Sequence, residues 1–205
     1  MEKKVGIIIG IATLAIFGVA IVFLSKPTED KKTVNLVRGG EIVRGKKGAE
    51  NQIVEFTDYE CPACASEADV LKELLQKYPN RIELSLRHMP IPGHKWSKLL
   101  AKAVEAAGKQ GKFWEMNDEI FAKRDEWLGK EEIKDYVLEM AGNLGIDKDK
   151  FLIDWESKEV ETKVTQDFND GVILGVSSTP TLFVNGKKIS GDKSLSDWEN
   201  LLKLN

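Results

Sequence analysis

The chain has 205 residues, with 30 Lys and Arg against 33 Asp and Glu, a formal net charge of −3 and 42% hydrophobic residues. That is one ordinary domain with a short extension, large enough to bury a core, and it lacks the basic field that nucleic acid requires. The two cysteines, Cys61 and Cys64, exclude a disulfide-built scaffold, which needs many bridges in a small body.

Val5 to Leu24 carries no charge and no proline, and a helix of that length spans about 30 Å, the hydrocarbon thickness of a bilayer. With Lys3 and Lys4 ahead of it, residues 1–24 read as an uncleaved single-pass membrane anchor whose short basic end stays in the cytoplasm. Lys26, Lys31 and Lys32 on the far side blur that orientation. A cleaved signal peptide is the rival, since Gly18 and Ala20 imitate a small-x-small site, but the apolar run continues through Ile21, Val22, Phe23 and Leu24. No cysteine follows closely enough for a lipid anchor. Residues 25–33 are polar, contain Pro27 and read as a linker. The folded body is expected over 34–205.

Val34, Leu36 and Val37, with Ile42 and Val43 after Gly39-Gly40, suggest a short hairpin or edge strand, and Lys46 to Glu50 a turn. Ile53 to Thr57 is a compact strand. A helix begins near Pro62, where a missing N–H costs nothing. Ala68, Leu71, Leu74, Leu75 and Tyr78 recur at helical spacing on its buried face, and Pro79-Asn80 ends it. Ile82, Leu84 and Leu86 alternate with polar residues as a second strand, and Met89 to Gly93 is a loop. From Trp96 to about Leu174 the spacing is helical, with apolar stripes through Leu100, Ala103 and Ala107, Phe113, Ile120 and Phe121, and Ile133, Val137 and Met140. Thr181 to Val184 is a strand, Asn185-Gly186 a hairpin turn, and Lys187 to Ser190 the returning strand. Ser196 with Glu199 reads as the capping box of a last helix that buries Trp198, Leu201 and Leu202. Strand–helix–strand, helical block, hairpin and helix predict an α/β fold: a mixed central sheet with helices on both faces.

Cys61-Pro62-Ala63-Cys64 lies between a strand and a helix. The start of a helix offers unpaired N–H groups and partial positive charge, so the Cys61 thiolate is expected to be stabilised there. Cys64, one turn in, is expected to be more buried and to resolve a mixed disulfide formed at Cys61. Three other readings stand beside this one. A structural disulfide in so short a ring constrains little of the unfolded chain. His88 and His94 complete a Cys2His2 zinc set on paper, at unsuitable spacing. The cysteines are also conceivable as inert core residues.

Two segments resemble the DsbA-like proteins of the thioredoxin superfamily: Val54 to Cys64, as the active-site strand and helix start, and Gly175 to Gly186, as the loop and strand with a cis-proline. The likeness covers roughly Val34 to Asn205, with a helical insertion at about 95–174. It implies that Pro180 is that cis-proline, facing the disulfide of the motif that Pro62 and Ala63 shape, and that the backbone of Thr179 is presented to an extended substrate peptide. It implies that Glu55 is a buried acid of raised pKa that exchanges a proton with Cys64. The family's best-known members have histidine where this chain has Ala63, which implies a less oxidising disulfide. Glu60, beside Cys61, opposes the thiolate if close and receives no role. The implied function is a dithiol oxidase acting on unfolded, cysteine-containing proteins outside the cytoplasm, needing no cofactor or metal, and reoxidised by a quinone-linked membrane partner. A reductase or isomerase in the same compartment is the near alternative. A tethered binding or chaperone-like domain is the alternative of another class.

Overall fold

The computed structural model describes residues 36, 41–191 and 193–204. The expected anchor at 1–24, the linker at 25–33, and Val34, Val37 and Gly39-Gly40 of the proposed hairpin lie outside the described residues. Among the described residues no helix is long and apolar enough to cross a membrane.

Five strands form one sheet in the order β1-β3-β2-β4-β5. They are β1 (Arg44–Gly45), β2 (Asn51–Thr57), β3 (Ile82–His88), β4 (Thr181–Val184) and β5 (Lys187–Ser190). The edge strand thus follows Ile42-Val43 instead of containing it, and pairs antiparallel with β3. The expected mixed sheet is present: β2 and β3 run parallel, joined by helix α1 (Pro62–Lys77), and β4 is antiparallel to β2. The β4–β5 hairpin turns on Asn185 and Gly186, both at positive φ (47° and 81°), which is what a two-residue turn matched to the twist of its strands needs. In β3 the expected alternation fails. Glu83, Ser85 and Arg87 are buried along with the leucines, because helices cover both faces of this inner strand.

The helical block consists of α2 (Ser97–Gly108), α3 (Phe113–Ala122), the short α4 (Arg124–Trp127), α5 (Lys134–Asn143), α6 (Lys148–Trp155) and α7 (Lys158–Ile173); α8 (Leu195–Leu202) closes the fold. One sheet face, with Ile53, Ile82, Leu84, Leu182 and Val184, packs on Leu71 and Leu74 of α1 and Trp198 and Leu202 of α8. The other face packs Val54, Phe56 and Phe183 against Met89, Val176 and Phe168. Gly171 lets α7 lie close to that face: a Cβ there would stand 2.7 Å from Met89 Sδ and 3.1 Å from the Phe56 ring. The insertion has its own core around Leu100, Val104, Met116, Ile120, Trp127, Val137 and Phe151, continuous with Tyr59, Cys64 and Leu86.

The last helix corrects two expectations. Its capping box is Ser194 with Asp197, two residues earlier than Ser196 with Glu199. Glu199 instead accepts from the Tyr78 hydroxyl at 3.0 Å and pairs with Lys77 of α1. Leu201 is exposed, and Leu204, beyond the end of the helix, is buried with Trp198 and Leu202.

Candidate active site

β2 ends at Thr57 and the chain turns through Asp58, Tyr59 and Glu60 into α1. Cys61 occupies the N-cap with extended backbone (φ −73°, ψ 121°), and Pro62 opens the first turn. Its sulfur is half-buried, whereas Cys64 is fully buried, and both are free thiols. The hydrogen bond from Cys64, working against burial and joined by Thr179 and the backbone of Cys64 and Ala63, lowers Cys61 from 9.0 to about 5. Burial first, then that same hydrogen bond and the charge of Glu55, pushes Cys64 far up. The Asp58 N–H also donates to Cys64 Sγ at 3.4 Å. The two sulfurs are therefore unlike: one is a ready nucleophile and leaving group, the other holds its proton.

The second segment reaches them through the sheet. Phe56 on β2 pairs with Thr181 on β4, which sets Thr179-Pro180 level with the cysteine turn. The Thr179–Pro180 bond is cis, and Cys61 Sγ donates to the Thr179 carbonyl at 3.3 Å. Gly191 makes room for this arrangement, since a Cβ there would stand 2.4 Å from Pro180 Cγ. Pro62, Ala63, Thr179 and Pro180 thus come together around Cys61.

Glu55 is buried on the sheet face that α1 and α8 cover, between Leu86 of β3 and Leu182 of β4. Burial, then the charge of Glu67, raises its carboxyl from 4.5 to about 8. Its Oε1 has no hydrogen-bond partner, and neither has Thr57 Oγ1.

Two acids that the sequence left without a role are anchored beside the site. Asp58 is buried, and its carboxylate accepts from the N–H groups of Glu60 (2.8 Å) and Ile91 (2.6 Å), from Ser97 Oγ, and lies 2.9 Å from His94 Nδ1. Glu60 accepts from the N–H groups of Trp96 (2.6 Å) and Ser97 (3.0 Å), while Arg124 donates to its carbonyl at 2.5 Å. The acid read as a threat to the thiolate is therefore committed to the start of α2.

The Cys2His2 set does not assemble: His88 Nε2 lies 3.1 Å from Glu105, and His94 beside Asp58. His88, Glu105 and Asp167 do bring ligand-type atoms within 4.8 Å of one another. Lys163 Nζ stands among them, 3.3 Å from Glu105 and 2.6 Å from Asp167. Burial opposes ionisation of Glu105, but His88 and Lys163 outweigh it and hold the carboxyl at about 2. A cavity of about 670 Å³ lined by Ile42, Glu105, Lys109 and Lys158 contains neither cysteine. Of the cysteine pair itself, only Cys61 is partly exposed.

The sequence matches the Thioredoxin family over residues 38–204. It is 35% identical over 150 residues to Na(+)/H(+) antiporter NhaA 3 of Salinispora tropica, covering 73% of this chain but 22% of that protein. The chain thus spans about a fifth of the length of that relative. A Bacillus anthracis protein named "Probable disulfide bond formation protein D" is 32% identical over 196 residues, covering 91% of this chain and 89% of the relative. In fold, the chain is similar to the thiol–disulfide exchange protein alpha-DsbA2 of Wolbachia pipientis, with TM-score 0.70 and 21% identity over 80% of this chain and 86% of that one.

Proposed function

The chain belongs to the thioredoxin family, among its DsbA-like thiol–disulfide oxidoreductases, and on that footing we propose that it is a dithiol oxidase tethered to the membrane with its body outside the cytoplasm. The carrying observation is the asymmetry of the sulfurs, with Cys61 at about 5 and Cys64 pushed far up. A thiolate stabilised in the reduced protein makes the disulfide readier to be given away. Val5 to Leu24 supports the tether.

A substrate thiolate attacks Cys61 Sγ of the Cys61–Cys64 disulfide. The S–S bond breaks, Cys64 leaves with the electron pair and takes a proton, for which Glu55 is the nearby buried donor. A second substrate thiolate then attacks the substrate sulfur of the mixed disulfide and expels Cys61 as a thiolate. The substrate leaves oxidised by two electrons and the enzyme is left reduced. The Thr179 backbone, beside Cys61, offers an edge along which the substrate peptide lies as a short strand. A quinone-linked membrane reoxidase takes the two electrons back.

Incubating the oxidised protein with a reduced, unfolded, multi-cysteine protein tests this. Disulfides are expected in the substrate, matched by new thiols at Cys61 and Cys64; absence of transfer rejects an oxidase. In Cys64→Ser the trapped adducts are expected on Cys61. Acid quenching and alkylation of intact cells fixes the direction: a pool found mainly reduced points to a reductase instead.

A further inference from the structure

α1 brings a second acid under the cysteines. Glu67 lies three residues after Cys64 and is almost fully buried, on the face of α1 that meets the sheet and α8. Trp198 Nε1 donates to its Oε1 at 2.7 Å within the core, and the Lys193 N–H donates to its Oε2 at 3.2 Å. Glu55 points to the same side from β2, between two leucines. Both acids are thus buried in the layer between the sheet and the helices α1 and α8, but their surroundings differ. Donors aimed at a carboxylate favour its ionised form, and apolar walls favour the neutral one.

We propose that Glu67 is a positioning residue for the exchange reaction: held by Trp198 and the Lys193 amide, its carboxylate decides that Glu55, and not Glu67, keeps the proton beneath Cys64. Two like charges in a dry site do not both form readily, so fixing one acid as the anion leaves the other as the proton carrier. This rests on the oxidoreductase reading and adds to it the origin of the proton given to the departing Cys64. The charge of Glu67 accords with this, standing second to burial among the causes that raise Glu55. Among the described residues, groups that interact with Glu55 include Cys61 at the N-cap of α1, Cys64 on α1, Thr57 on β2 and Tyr59 in the turn. Further along α1, Lys72 pairs with Asp118 of α3, and Lys77 with Glu199 of α8.

The test follows glutamate carboxyl carbons by NMR in the reduced, 13C-labelled full chain, with Glu55→Gln identifying the Glu55 signal by its loss. That signal is expected to titrate near pH 8 in the wild type. In Glu67→Gln its midpoint is expected to fall by about one unit, a tenfold change in proton affinity. The pH profile for release of glutathione from Cys61 by Cys64 is expected to move down with it. Trp198→Phe keeps the carboxylate and the Lys193 N–H donor but removes the indole donor, and is expected to move the midpoint by less than Glu67→Gln. If Glu67→Gln loses cooperative melting, Glu67→Met with Trp198→Phe removes both polar partners at similar volume and carries the same expected fall. An unmoved Glu55 midpoint on loss of the Glu67 charge overturns the proposal, and so does an equal fall in Trp198→Phe. A wild-type protein that never releases glutathione rejects the oxidoreductase reading instead, and the carboxyl titration still decides the role of Glu67.

Discussion

Cys61 is made reactive by what surrounds it rather than by a histidine between the cysteines. Ala63 contributes only its backbone, and the Cys64 thiol and Thr179 supply the rest. A depressed thiol stabilises the reduced fold above its unfolded value near 9, and that contribution is lost as pH falls through about 5. Alkylation of the reduced protein by iodoacetamide is therefore expected to follow a midpoint near pH 5; a midpoint at the ordinary thiol value would remove the basis for Cys61 as the exchanging sulfur. The position of Cys61 was legible in the sequence because a strand, two cysteines and a proline in the first helical turn are local facts. Glu55 was legible through resemblance. Asp58, Glu60 and Glu67 were not, because acids near a motif reveal their partners only when Trp96, Ser97 and Trp198 arrive from elsewhere in the chain.

Strand β3 and helix α7 are joined by buried charge. Arg87 is 1% exposed and pairs with Asp167 of α7 at 3.0 Å and with Glu41, while donating to the Leu36 carbonyl at 2.9 Å. Removing Arg87 takes the buried guanidinium from between two acids and leaves Asp167 with Lys163 and the His88 N–H. Arg87→Met is expected to cost about 3–5 kcal/mol in urea unfolding; a loss within experimental scatter would show that the network adds nothing to stability. The same element also shows where periodicity misleads. An alternating strand normally exposes one face, but here α7 covers Ser85 and Arg87 while α1 covers Ile82 and Leu84. At α8 two serine–acid signatures compete, Ser194–Asp197 and Ser196–Glu199. The choice falls to the first because Glu199 is drawn to Lys77 and Tyr78.

At the scale of the whole molecule, the catalytic body and the proposed tether are separate propositions. Cell fractionation is expected to recover the full chain with membranes and a chain starting at residue 25 in the soluble fraction; equal recovery in the soluble fraction would reject the anchor. The sequence by itself determined the order of elements, the start of α1 at the cysteines, the tight turn at Asn185-Gly186 and the apolar run at Val5 to Leu24. Each of these depends on residues within a few positions of one another. The tertiary structure decided which distant groups share the site. Pairing of β2 with β4 places Thr179 against Cys61, and packing of α8 on α1 sets Trp198 on Glu67. Those contacts join residues more than a hundred positions apart, and they form only once sheet and helices have buried their apolar faces together. The position of the cysteine pair at a helix start is written locally, whereas Thr179 and the buried acids reach it only through the fold.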